Sequence, residues 1–163
     1  MHNSKAQFLA RGAAVAALYV GLTMLSTAVR LSSGVIQLRL GEILMVLPAF
    51  MPTAIPGLFI GCILANVLSG CLMLDVLFGS IATLIGAVGA WLVRRAPRVL
   101  LPLPAILANT AIVPFIQYFV YRADGSLPFF FLTVFLGELL SAGVGGYLLA
   151  TALRKYPQLT KYM

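Results

Sequence analysis

The chain holds 163 residues, of which 61% are hydrophobic and only 9% charged, and its mean hydropathy is +1.04. Soluble domains carry about 25% charged residues, so too few remain here to cover a water-facing surface. A soluble fold, a disordered chain and a disulfide-stapled secreted module are set aside. The net charge of +7 does not point to nucleic acid, because the Lys and Arg residues stand in small groups between hydrophobic runs. That spacing is the positive-inside pattern of membrane proteins.

Composition also removes several chemistries. The one histidine, His2, stands on the N-terminal tail, so histidine catalysis inside the domain has no residue to use. Cys62 and Cys71 are too few and wrongly spaced for structural zinc, and no metal site is expected. A G-x-x-x-x-G-K-S/T loop is absent from the sequence. The chain therefore carries no ATP motor of that kind, and any ATP would be used by partner subunits. No convincing nucleophile–base pair stands out either, so an enzyme is not the expectation. At about 20 residues per crossing, the length admits at most six or seven membrane helices, read as one membrane domain over residues 1–163.

In chain order, the first run covers about residues 8–29, with Arg11 able to snorkel from its end. The stretch from Arg30 to Gly41 reads as an ordered loop or short extended piece in which Gln37 and Arg39 alternate with apolar residues. Pro52 and Pro56 then divide an apolar region into spans of about 42–52 and 55–70. The first is short for a crossing, which is tolerated where a helix is packed inside protein or lines a cavity. Further spans cover about 75–93, 101–121 and 127–153, separated by Arg94–Arg98 and by the polar turn Arg122–Ser126. The fold class expected is thus an all-α membrane protein with six transmembrane helices. With both termini inside, eight of the eleven Lys and Arg residues fall on inner segments and three on outer ones. The opposite orientation reverses that ratio, so N-in and C-in is favoured.

Polar side chains then collect toward the outer half. Glu42 opens the second span, Asp75 opens the fourth, and Asp124 lies in the outer turn between the last two spans. Glu138 is about 16 Å of helix rise below the outer end of the sixth span. An ionisable group at that depth is either paired or a site residue. Asn66, Gln117 and Tyr118 stand near the same end, and Asn109 lies deeper. Glu42 and Asp75 also fit helix caps or interfacial charges, Asp124 a turn residue, and Tyr118, Tyr121 and Trp91 an interfacial belt. Taken together the group describes an outward polar pocket rich in carboxylates and amides. Such a pocket suits a ligand with adjacent N–H donors, which a carboxylate accepts in a bidentate pair, with Phe78 or Tyr118 as a stacking face. Small residues repeat at four-residue spacing, as in Ala13, Ala17 and Gly21 or Gly57, Gly61, Ala65 and Ser69. These stripes let helices approach closely in lipid, and the first could equally meet another protein.

Three ordered stretches, Gly34–Leu44, Ile55–Asn66 and Asp75–Thr83, resemble the QueT family. These proteins are substrate-binding S-components of energy-coupling factor (ECF) transporters, implicated in uptake of queuosine precursors. The likeness runs from the first span to the sixth, with Gly41 standing where the family pattern has serine. It implies an ECF S-component-like six-helix fold in a bacterial cell membrane, with a ligand pocket near the outer face under the loop between helices one and two. It also implies that Ala13 and Ala17 dock on a transmembrane coupling subunit that carries two cytoplasmic ATPases. Mapped onto this sequence, the pocket takes Gln37, Arg39, Glu42, Asp75, Gln117 and Glu138, with Asn66 and Asn109 as second choices. The ligand expected is a 7-deazaguanine such as queuine or prequeuosine. A different vitamin or nucleobase, or a stand-alone proton-coupled carrier, remain the alternatives.

Overall fold

The computed structural model describes residues 2–31 and 36–155. Gly34 and Val35 of the first family-like stretch, and Lys161 of the basic tail, lie outside the described residues. Within the described residues, helices α1 (His2–Ala28), α2 (Ala54–Leu68), α3 (Met73–Leu92), α4 (Leu103–Phe115), α5 (Leu127–Glu138) and α6 (Gly146–Lys155) form a bundle. A 3-10 helix, Leu40–Ala49, lies between α1 and α2. Two π-helical segments, Ile116–Val120 and Leu139–Gly145, extend α4 and join α5 to α6. In hydrocarbon every backbone polar group must find a partner within the chain, which is why these apolar runs become helices.

Four segments are long and apolar enough to cross a membrane: Lys5–Ala28, Met73–Leu92, Arg98–Val120 and Leu127–Lys155. Leu40–Ala49 and Ala54–Leu68 are shorter apolar helices. The six expected runs are therefore all helical, with shifted ends. The α1 helix starts before residue 8 because nothing between Asn3 and Gln7 breaks a helix once it leaves lipid. The run expected at 42–52 is a tight 3-10 helix, unusual at ten residues, and spans only about 20 Å. Pro48 sits inside it, and Gly41, Glu42 and Leu44–Pro48 are buried, because α1, α3, α6 and the Leu139–Gly145 segment surround it.

Close packing fixes its neighbours. A Cβ at Gly57 would meet the Gly12 carbonyl and Val15, and one at Gly61 would meet Ala16 and Tyr19 at about 3.0 Å. The Gly57–Gly61 stripe therefore belongs to the α1–α2 contact. The inward face of α1 is Val15, Ala16, Tyr19, Thr23 and Ser26, whereas Ala13, Ala17 and Gly21 are exposed. Gly70, with φ +72°, ends α2 by letting Cys71 N–H reach the Asn66 carbonyl at 3.0 Å. At the opposite end, the Arg94 guanidinium sits 4.2 Å above the Trp91 ring and donates to the Trp91 carbonyl.

Candidate functional site

The end of the bundle reached by α1 and α2 opens into a cavity of about 590 Å³. Its walls come from the ends of α1 and α2, the connection 36–39, the start of α3, the π segment after α4 and the start of α5. Five of the eight expected ligand residues line it: Gln37, Arg39, Asn66, Asp75 and Gln117. Glu42, Asn109 and Glu138 do not line it but lie beneath it, each buried.

The 36–39 segment is fastened by the helices below. Arg39 N–H donates to Ser141 Oγ at 3.1 Å and Leu40 N–H to Ser26 Oγ at 2.9 Å. A Cβ at Gly137 would run into the Gln37 carbonyl, so glycine lets this backbone lie directly on α5. Leu38 N–H reaches the Leu31 carbonyl at 2.9 Å and closes the base of the connection. Gln37 and Arg39 are thereby set over the cavity. The Arg39 guanidinium loses solvation there, the largest single influence on it, yet the facing Asp75 carboxylate together with Tyr19, Glu42 and Cys62 outweighs that loss and holds it more firmly protonated than usual.

Asp75 is 4% exposed and accepts the Tyr121 O–H at 2.8 Å, while Tyr121 itself accepts Leu72 N–H at 3.2 Å. Partial burial and the Asp75 carboxylate push the Tyr121 hydroxyl above its ordinary range, so it stays a donor at neutral pH. Asn66 is buried beside Asp75, since a Cβ at Gly79 would meet Asn66 Nδ2 at 3.3 Å and Asp75 Oδ1 at 3.5 Å.

The lower tier has its own bonding. Tyr19 O–H donates to Glu42 Oε1 at 2.6 Å and Asn109 Nδ2 to Glu42 Oε2 at 3.2 Å. Tyr19 is nine residues from the end of α1, which puts Glu42 about 14 Å down rather than at the mouth of a span. Asn109 and Glu138 are eleven residues from the ends of their own segments, about 16 Å down, so the three share one level. A Cβ at Gly41 would strike the Thr23 hydroxyl and lie 3.2 Å from the Tyr19 ring. Glycine at this position is thus required by the packing that brings Tyr19 to Glu42.

Thr23, Ser26, Tyr121, Asp124, Phe129, Phe130 and Thr133 line the cavity without having been expected there as ligand residues. Three hydroxyls at 23, 26 and 27 in an otherwise apolar helix were the available signal. Phe78 and Tyr118, expected as stacking faces, are exposed away from the cavity, and Phe129, Phe130 and Tyr121 present the aromatic surface instead.

An apolar helical bundle with four segments long and apolar enough to cross a membrane, and a polar cavity at its end, is the construction of a multi-pass membrane protein. No curated protein and no solved structure matches the chain. The QueT transporter family model matches residues 9–155, and the chain belongs to that family. It is a membrane transport protein.

Proposed function

We propose that this protein is the substrate-binding S-component of an ECF uptake transporter and takes a queuosine precursor from the outside. The observation that carries the reading is the buried Asp75 carboxyl in the wall of an amide-lined cavity of about 590 Å³. That volume falls within the roughly 300–1,000 Å³ of small-molecule sites. A carboxylate accepts two adjacent N–H donors, as on the guanine-like edge of a 7-deazaguanine, and rejects rings that cannot donate there. Gln117 and Asn66 address the ring carbonyl and nitrogens, Phe129 and Phe130 flank the ring, and Gln37 and Arg39 cover it. Glu42, Asn109 and Glu138 act one tier below, as support for the wall and for the covering segment.

Six crossings with both termini inside put this cavity at the outer surface of a bacterial cell membrane. The exposed Ala13 and Ala17 on α1 supply the close-approach surface for the transmembrane coupling subunit, whose two ATPases provide the energy. The test is uptake of labelled queuine into liposomes. ATP-dependent uptake is expected with the coupling subunit and both ATPases present, and none with this chain alone. Uptake by the chain alone, driven by a pH gradient, would establish the stand-alone carrier instead.

A further inference from the structure

We infer that Glu42 and Glu138, with Asn109 between them, form a binding site for one small cation, a proton or a sodium ion, beneath the cavity. The inference concerns the lower tier and stands apart from what fills the cavity. Glu42 is 1% and Glu138 7% exposed. Asn109 donates to Glu42 and faces Glu138 as well. Glu42 has a donor on each oxygen, from Tyr19 and from Asn109. Oε2 of Glu138, in contrast, is buried with no hydrogen-bond partner among the described residues. A second orphan stands close by: Thr23 Oγ1 is buried without a partner and packs against Gly41, next to Glu42.

Charge balance points the same way. The groups turned toward the pair are Tyr19 from α1, Cys62 from α2 and Arg39 from the connection. From α3, Asp75 competes for Arg39. The α4 helix contributes the neutral Asn109, and α6 turns Ala150 and Leu153 inward. One guanidinium thus serves three carboxyl groups. A buried carboxylate without a compensating cation is strongly disfavoured, so one more positive charge completes the tier. On Glu138 Oε2 a proton converts the orphaned acceptor into a donor. A sodium ion would instead take carboxylate and amide oxygens as ligands, as hard cations do. The backbone widens into the Leu139–Gly145 π segment directly after Glu138, a distortion common at functional positions.

The chain contains two glutamates, so a ¹³C label in the glutamate side-chain carboxyl reports on this pair alone. Infrared spectra are to be recorded on the full-length protein in nanodiscs at neutral pH, in sodium-free choline buffer and again with sodium. The expected sodium-free result is half of the labelled intensity in the protonated-carboxyl band and half in the carboxylate band. If sodium leaves that division unchanged, the cation is a proton; if sodium empties the protonated band, it is sodium. Two ionised or two protonated glutamates in the sodium-free spectrum would overturn the site. In Glu138→Gln the remaining label is expected to move to the carboxylate band, and a persisting protonated band would overturn the pairing.

Discussion

Replacing Asp75 with asparagine is expected to weaken binding of a 7-deazaguanine by roughly 10- to 150-fold while leaving the melting temperature within a few degrees of wild type. Hydrogen bonds to a charged partner contribute about 1.5–3 kcal/mol, and each 1.4 kcal/mol is a factor of ten. The substitution keeps a carbonyl oxygen to accept from Tyr121, so the local fold retains the bond from Tyr121, just after the π segment, to α3. It removes the negative charge and one of the two acceptor oxygens that a guanine-like edge needs. Asp124 also lines the cavity but is exposed, where a charge contributes at most about 1 kcal/mol, so Asp124→Asn should change affinity by less than about fivefold. Calorimetric titration of the three proteins with queuine compares them directly. Equal affinities for wild type and Asp75→Asn would move ligand recognition away from this carboxyl.

The largest loss of stability is expected from Glu42→Ala. The wild-type carboxylate is the acceptor for two buried donors, the Tyr19 hydroxyl and the Asn109 amide. Truncation removes the Glu42 acceptor from both of these buried donors. Each unsatisfied donor costs about 1–3 kcal/mol, so together they cost roughly 2–6 kcal/mol before the vacated volume is counted. Glu42→Gln keeps one carbonyl acceptor and should lose much less. Thermal unfolding in detergent should rank wild type highest, then Glu42→Gln, then Glu42→Ala. Coincident melting of Glu42→Ala and wild type would mean that this cluster does not hold the 3-10 helix in place.

These two residues also show how far the sequence could be read. Asp75, Asn66 and Gln117 were legible as cavity residues because each sits within a turn or two of a helix end, and helix ends follow from the charged and polar breaks between apolar runs. Glu42 was not, because its position was inferred from the start of a span. Its depth is set instead by the connection descending along Ser26 and Ser141 before the 3-10 helix begins. Helical type was equally hidden. Whether a turn closes as 3-10, α or π depends on what packs against it, and apolar periodicity does not distinguish them. Glu138 and Asn109 were recognised as buried polar groups, but that they share one level with Glu42 emerges only when three helices are placed side by side.

Cys71 offers the most direct test of whether a ligand occupies this cavity. It is half-buried in the cavity lining, whereas Cys62, 1% exposed between α2 and α3, serves as an unreactive internal control. Burial and the nearby Asp75 carboxylate push the Cys71 thiol above the usual cysteine range, so its alkylation should quicken as pH rises past that of an ordinary cysteine. The decisive measurement is the alkylation rate of Cys71 at a fixed, mildly alkaline pH with and without saturating queuine, read by mass spectrometry of the purified protein. A slowing of roughly tenfold or more is expected at Cys71 with ligand present, and no modification of Cys62 in either condition. An unchanged Cys71 rate under conditions where queuine is shown to be bound would place the ligand elsewhere and contradict it.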